Sequence, residues 1–177
     1  MIIFYRHGQT IWNIENRWTG SSDISISINS KEKIERSSDL LKELNFKIIL
    51  CSTMNRCKQT LGILNGALKF DTKIIYLDSL RERCFGELEG KLKKKDDLLF
   101  SNQVKHIEST EDFENRIESM LSIISEFDFS DTILIVSHSH IYKYLFMKYL
   151  YIYNKYPNTI KNSEFVCIKN EHLFYKI

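Results

Sequence analysis

The sequence predicts an α/β fold: a three-layer sandwich whose mostly parallel central sheet carries helices on both faces. Short apolar runs at 1–5, 46–51, 73–77 and 132–137 have the length of buried strands, and stretches with apolar residues near a 3.6-residue period separate them. Strands that alternate with helices pack as a parallel sheet covered on both sides. The third observation is polar. Arg6-His7-Gly8 directly follows the first run, and Ser137-His138 closes the last. In an open α/β sheet ligands bind at the carboxyl ends of the strands, so the pattern sets two histidines where the fold presents a pocket.

The elements follow in order. Residues 1–5 open the sheet as a buried strand, and 9–23, poor in apolar residues, form a loop with one helical turn near 11–15. Asn29 with Glu32 three residues on fits a capping box. Ile34, Leu41 and Leu44 then recur at helical spacing, which predicts a helix over 30–44. Residues 46–51 make the second strand, 54–68 a helix with Leu61, Leu64 and Leu68 on one side, and 73–77 the third strand. The stretch 81–95, with Gly86, Gly90 and a lysine-rich run at 91–95, is read as a loop that starts a short lid-like insertion around 83–110. The clearest helix is 110–127, where Phe113, Ile117, Met120, Leu121 and Ile124 form one apolar stripe. Glu111 and Asp112 stand in its first turn, where the helix dipole favours acids. A strand at 132–137 and a helix at 139–151 follow, and 165–169 with 173–176 flank Asn170-Glu171 as a hairpin.

At 177 residues the chain is expected to be one domain, 1–177. Its 43% hydrophobic and 27% charged residues suit a soluble globular protein. A net charge of +2 gives no reason to expect a nucleic-acid partner. The apolar runs fall far short of the roughly 20 residues that span a bilayer, so no membrane partner is expected. Residues 1–5 run straight into the Arg-His-Gly motif without a basic-then-apolar leader. Cys51, Cys57, Cys84 and Cys167 have no metal-like spacing, and with the absent leader they suggest free thiols in the cytoplasm. A homodimer is the one assembly left open.

Four segments bring polar groups to the ends of the predicted strands: Arg6-His7-Gly8-Gln9-Thr10 with Trp12-Asn13 behind it, Ser52 to Arg56, Arg81-Glu82-Arg83, and Ser137-His138. Two histidines, two or more arginines and one glutamate are what phosphoryl transfer through a histidine needs. A neutral imidazole attacks phosphorus in line. Fixed cationic donors balance the charge on the equatorial oxygens. A carboxyl group supplies a proton to the leaving oxygen and later removes one from water.

These segments resemble the histidine phosphatase superfamily, also called the phosphoglycerate-mutase-like family. Its opening signature appears as Arg6-His7-Gly8-Gln9-Thr10-Ile11-Trp12-Asn13 and Asn16-Arg17-Trp18-Thr19-Gly20. Its middle segment appears as Cys51-Ser52-Thr53-Met54-Asn55-Arg56, its acid segment as Leu80-Arg81-Glu82-Arg83 through Gly90, and its last as Val136-Ser137-His138. The likeness runs in order along nearly the whole chain. It implies that His7 is the nucleophile, that Arg6 and Arg56 hold the phosphoryl oxygens and that His138 donates to the same group. Glu82 is then acid and afterwards base, and Asn13 a further contact. It extends substrate binding to Gly8, Thr19, Gly20, Lys93 and Ser139. It implies no metal and no cofactor, since Arg and His cations do that work. The sequence departs from the family at Ser139-His140, where Gly is common, and at Phe85, where mutases carry Tyr. His140 is expected to start a helix and point away, and Trp12 and Trp18 to wall the pocket.

The implied activity is hydrolysis of a small phosphorylated substrate through phosphohistidine, with α-ribazole phosphate one candidate. The first alternative is a phosphoglycerate mutase, an isomerase. Against it, the stretch between Glu82 and His138 is short and holds, beyond Arg83, a single arginine, Arg116, which leaves the site open to water and without a paired-arginine grip on a carboxylate. The second alternative is a non-catalytic phosphate-binding module, which would have no need of Glu82.

Overall fold

Five strands lie in the order β3-β2-β4-β1-β5 in the computed structural model, which describes residues 1–94, 104–128, 130–169 and 172. The strands are β1 (Ile2–Arg6), β2 (Ile48–Ser52), β3 (Ile74–Leu77), β4 (Ile133–Ser137) and β5 (Phe165–Ile168). The first four run parallel, and β5 pairs antiparallel with β1 at one edge. The helices are α1 (Ile11–Ile14), α2 (Ser30–Ser38), α3 (Asn55–Leu68), α4 (Thr110–Ile124) and α5 (Ser139–Leu145). The sheet is thus mostly parallel and the fold is α/β, as the sequence predicts.

The two-residue alternation of β1 assigns its side chains to two cores. Ile2 and Phe4 pack with Ile133 and Ile135 against the stripe of α4 and against Ile141, Tyr142 and Leu145 of α5. Ile3 and Tyr5 pack with Ile49, Leu134 and Val136 against Ile34 of α2 and Leu61 and Leu64 of α3. Helices therefore cover both faces. The central strands β2 and β4 are buried throughout and carry unbroken apolar runs, as strands covered on both faces do.

Several boundaries differ from the sequence reading. α2 stops at Ser38 and tightens into a 3₁₀ turn, Asp39–Leu41, so the expected helix to residue 44 is broken early. The capping box expected at Asn29 is absent, because Asn29 has helical backbone angles and makes no side-chain cap. A capping box forms instead at Thr10, whose hydroxyl accepts from the Asn13 amide while the Asn13 side chain accepts from the Thr10 amide. The last helix runs as α5, then a π turn Phe146–Leu150 and a 3₁₀ turn Tyr151–Tyr153, rather than one α-helix to residue 151. The second arm of the expected hairpin, 173–176, lies outside the described residues, as do 95–103 of the expected lid and Lys95 of its lysine run.

Register positions the chemistry. β1 pairs with β4 from Ile2 opposite Ile133 to Arg6 opposite Ser137. The next residue of each strand is a histidine, so His7 and His138 leave the sheet side by side. β2 lies on the other flank of β4 and ends at Ser52, four residues before Arg56 in the first turn of α3.

Candidate active site

His7 is almost fully buried, and its Nδ1 lies 2.7 Å from the Gly8 carbonyl oxygen. A carbonyl only accepts, so Nδ1 carries the hydrogen and Nε2 keeps its lone pair. Burial, then the Arg56 and Arg6 guanidinium groups, hold the imidazole well below its usual titration range and therefore neutral. The His7 backbone amide donates to the Ser137 carbonyl at 3.1 Å, and the ring centroids of His7 and His138 are 5.0 Å apart.

His138 is fully buried. Its Nδ1 accepts from Arg56 Nε at 3.3 Å, so Nε2 is the protonated nitrogen, 2.9 Å from Ser52 Oγ. Burial, then Arg56 and His7, hold this ring neutral too. Both nitrogens are thus engaged with protein. His138 itself does not line the cavity described below, and the expected donation to a phosphoryl group requires one of these contacts to be given up. Arg56 is fully buried, and its terminal nitrogens donate to the carbonyls of Ser22 and Gly20 at 2.8 Å each. Arg6 donates to the Ile160 carbonyl at 2.7 Å, and its Nε is buried without a partner among the described residues.

Glu82 completes the cluster. Its Oε1 accepts from the amides of Arg83 (3.1 Å) and His140 (3.3 Å), and its Oε2 from the Ser139 hydroxyl (3.3 Å). Burial alone would raise its pKa. His140, His138 and Arg56 outweigh burial and hold the carboxyl well below the usual carboxylate range. Glu82 is therefore held ionised.

The same cavity is lined by Asn13, Thr19, Gly20, Lys93 and Ser139, which joins them to the two arginines, His7 and Glu82. Asn13 donates to the Thr19 hydroxyl at 3.3 Å. Lys93 arrives because 16–18 and 89–93 run alongside each other: its amide donates to the Asn16 carbonyl at 2.8 Å, and its Nζ lies 5.1 Å above the Trp18 ring. Burial, then Arg6, lower its pKa. The free space is about 20 Å³, enough for about one water. The cavity is thus narrower than the open site expected from the short connecting segment. A larger cavity of about 610 Å³, between α2 and 161–164, shares Arg6 with this one but neither histidine nor Glu82.

Gly8 is a correction. It does not line the cavity; its amide donates to Thr60 Oγ1 at 2.8 Å. A side chain there would meet Ile34 at 3.0 Å, Ser30 at 3.1 Å and Ile26 at 3.2 Å, so glycine is needed for the seating of α2 rather than for a ligand. Gly20 does meet a backbone requirement, with φ of +52° and Glu89 Oε1 2.1 Å from where a Cβ would stand. His140 is the second correction. It does not point away: its Nδ1 lies 3.3 Å from Glu82 Oε2, and its ring centroid 4.8 Å from Phe85. Glu89 was also missed. Its carboxylate accepts from the amides and hydroxyls of Ser21 and Ser22 and from the Phe85 amide, which fixes the loop whose carbonyls hold Arg56.

Comparison with known proteins agrees with this arrangement. The phosphatase PhoE of Bacillus subtilis, itself uncharacterized, is 26% identical over 138 residues, covering 77% of this chain and 70% of the relative. A 2,3-bisphosphoglycerate-dependent phosphoglycerate mutase of Gloeobacter violaceus is 34% identical over 91 residues, covering 51% of this chain and 42% of its own length. This chain thus spans less than half of that mutase. Among solved structures, a phosphoglycerate mutase from Bacillus anthracis superposes with a TM-score of 0.78 at 22% identity, covering 93% of this chain and 86% of the other. The α-ribazole phosphatase of Shigella flexneri gives 0.71 at 21% identity, covering 93% and 87%. These structural likenesses establish the fold. Residues 2–168 match the family model described as histidine phosphatase superfamily (branch 1), and with both histidines leaving adjacent strands in register, the chain belongs to that superfamily.

Proposed function

We propose that the chain is a phosphomonoester hydrolase that works through a phosphohistidine on His7 and acts on a small phosphorylated metabolite. The observation that carries this reading is the state of His7. It is neutral, its Nδ1–H is spent on the Gly8 carbonyl, and its Nε2 lone pair is left for attack between two guanidinium groups. Nε2 forms a bond to phosphorus as the ester oxygen leaves. Arg6 and Arg56 balance the charge on the equatorial oxygens. The Glu82 carboxyl group delivers the proton that the leaving oxygen needs, and in the second half takes one from the water that attacks phosphohistidine.

Hydrolysis is favoured over isomerisation by the state of Arg116. It is paired with Glu108 through two contacts of 2.6 and 3.0 Å and donates to the carbonyls of Ser79 and Arg81, so it is not available to grip a substrate carboxylate. Lys93 in the cavity wall speaks for the mutase reading, since the resemblance gives mutases a substrate-binding lysine there. Glu82, held by three donors at the cavity wall, speaks against a module that only binds phosphate.

A panel of phosphomonoesters separates these readings, with α-ribazole phosphate, 3-phosphoglycerate and 2,3-bisphosphoglycerate included. Phosphate release from one or more esters without a bisphosphate primer is expected. Interconversion of 3- and 2-phosphoglycerate that outruns phosphate release would move the chain to the mutase reading. Phosphate binding without turnover of any ester would move it to the binding module.

A further inference from the structure

Glu82 presents a chemical difficulty. It is held ionised by its surroundings, yet the first half of the proposed reaction needs it to give up a proton. The source lies beside it. His140 is the second residue of α5, and its Nδ1 stands 3.3 Å from Glu82 Oε2. That nitrogen is buried and makes no regular hydrogen bond among the described residues, while the backbone amide of the same residue donates to Glu82 Oε1. The ring is held against Phe85, at 4.8 Å between centroids, and near Trp18, at 6.4 Å. These contacts set the imidazole beside the carboxylate, with 25% of the side chain exposed. The other charged or titratable groups that act on this space are Arg6 and His7 from the end of β1, Arg56 from α3, His138 from the end of β4, and Lys93. All three of the charged ones are cations, and Glu82 is the carboxylate among the described lining residues.

We propose that His140 is a positioning residue that acts through Glu82, as the store of the proton the carboxyl group gives and takes. This rests on the reading of Glu82 as acid and base. In the first half, protonated His140 passes its Nδ1 proton to Glu82 as Glu82 passes a proton to the ester oxygen; the P–O bond breaks, the bond from His7 Nε2 to phosphorus forms, and His140 is left neutral. In the second half, water attacks phosphorus, the N–P bond breaks, and the proton lost by water travels through Glu82 back to His140. Imidazole suits this because it exchanges protons near neutral pH, which a carboxylate held far below its usual range does not.

The test uses His140→Phe, which keeps a flat ring against Phe85 and Trp18, and His140→Asn, which keeps a neutral donor but carries no proton. The readout is kcat/KM for phenyl phosphate and for 4-nitrophenyl phosphate, two esters of similar shape whose leaving groups differ in their need for a proton. Both variants are expected to lose about 100-fold more on phenyl phosphate than on 4-nitrophenyl phosphate, the lower end of one general-acid contribution. Any fall of kcat/KM for phenyl phosphate toward alkaline pH in the wild type should be absent from both. Adding His140→Phe to Glu82→Gln should cost less than threefold further. Equal losses on both esters, with the alkaline fall retained, would overturn the proposal. If Glu82→Gln depends on the leaving group and the His140 variants do not, the proton store fails while the acid role of Glu82 stands. If Glu82→Gln shows no such dependence, the acid role itself fails.

Discussion

His7 sits one residue beyond β1, where the chain turns from sheet to loop, and its neighbours decide its chemistry. An imidazole buried beside two guanidinium groups cannot hold a second proton, and one whose Nδ1–H is given to a carbonyl can attack only from Nε2. Replacing His7 by Ala removes that lone pair. Turnover should fall by at least about 10⁴-fold, as for other nucleophile deletions, while the folded state persists because the strand pairs of β1 end at Arg6. Soluble, folded His7→Ala enzyme with near-normal activity would remove His7 from the mechanism. The five residues proposed for catalysis could be picked out in the sequence because each stands within five residues of the end of an apolar run. His140 and Glu89 could not. His140 reaches Glu82 across the sheet end from α5, and Glu89 reaches back to Ser21 and Ser22. No local period encodes either contact.

At the scale of elements, the register of β1 and β4 places two neutral histidines side by side, and this has a cost in acid. The unfolded chain protonates both near the ordinary histidine value of about 6.5, whereas the folded chain does so only well below it. The unfolded state therefore binds more protons in that window, and stability must fall as pH falls. The slope is about 1.4 kcal/mol per pH unit for each histidine, or roughly 2.7 for the pair. Glu82 works in a lower window: its folded pKa is depressed, so its stabilisation is present above the usual glutamate value and is lost only as pH falls through the folded one. Urea unfolding at several pH values should show the decline below pH 6.5, and His7→Gln should roughly halve its slope. An unchanged slope in His7→Gln would contradict the neutral state assigned to this ring. The loop at 19–22 gives a second test. Glu89→Ala strips acceptors from two serine amides and two serine hydroxyls. A loss of about 2 kcal/mol is expected, together with a raised KM, because the Gly20 and Ser22 carbonyls frame Arg56. Normal KM in a destabilised Glu89→Ala would confine Glu89 to structure. The type and order of the elements were legible from period and length, whereas their ends were not. Asn29 had the sequence of a cap, but its backbone already turns helically, and Thr10 forms the box instead.

At the scale of the molecule, the sheet order β3-β2-β4-β1-β5 puts three parallel strand ends together at its centre, and Ser52, His138 and His7 emerge from them. Helices on both faces make that end of the sheet the place where polar groups gather, and Arg56, Glu82 and His140 reach it from three further segments. The fold class was legible because alternating strands and helices allow few arrangements. The narrowness of the cavity was not, since it arises from Trp18, Phe85, Lys93 and His140 meeting from distant parts of the chain. The central claim is that His7 takes the phosphoryl group and water removes it. Rapid-quench mixing with a ³²P-labelled ester that the enzyme turns over tests this most directly. Protein-bound label that is acid-labile and alkali-stable should appear within the first turnover, be absent from His7→Ala, and decay at the rate of phosphate release with no bisphosphate added. Steady phosphate release with no protein-bound label at any time, or label that persists until a phosphoglycerate removes it, would contradict it.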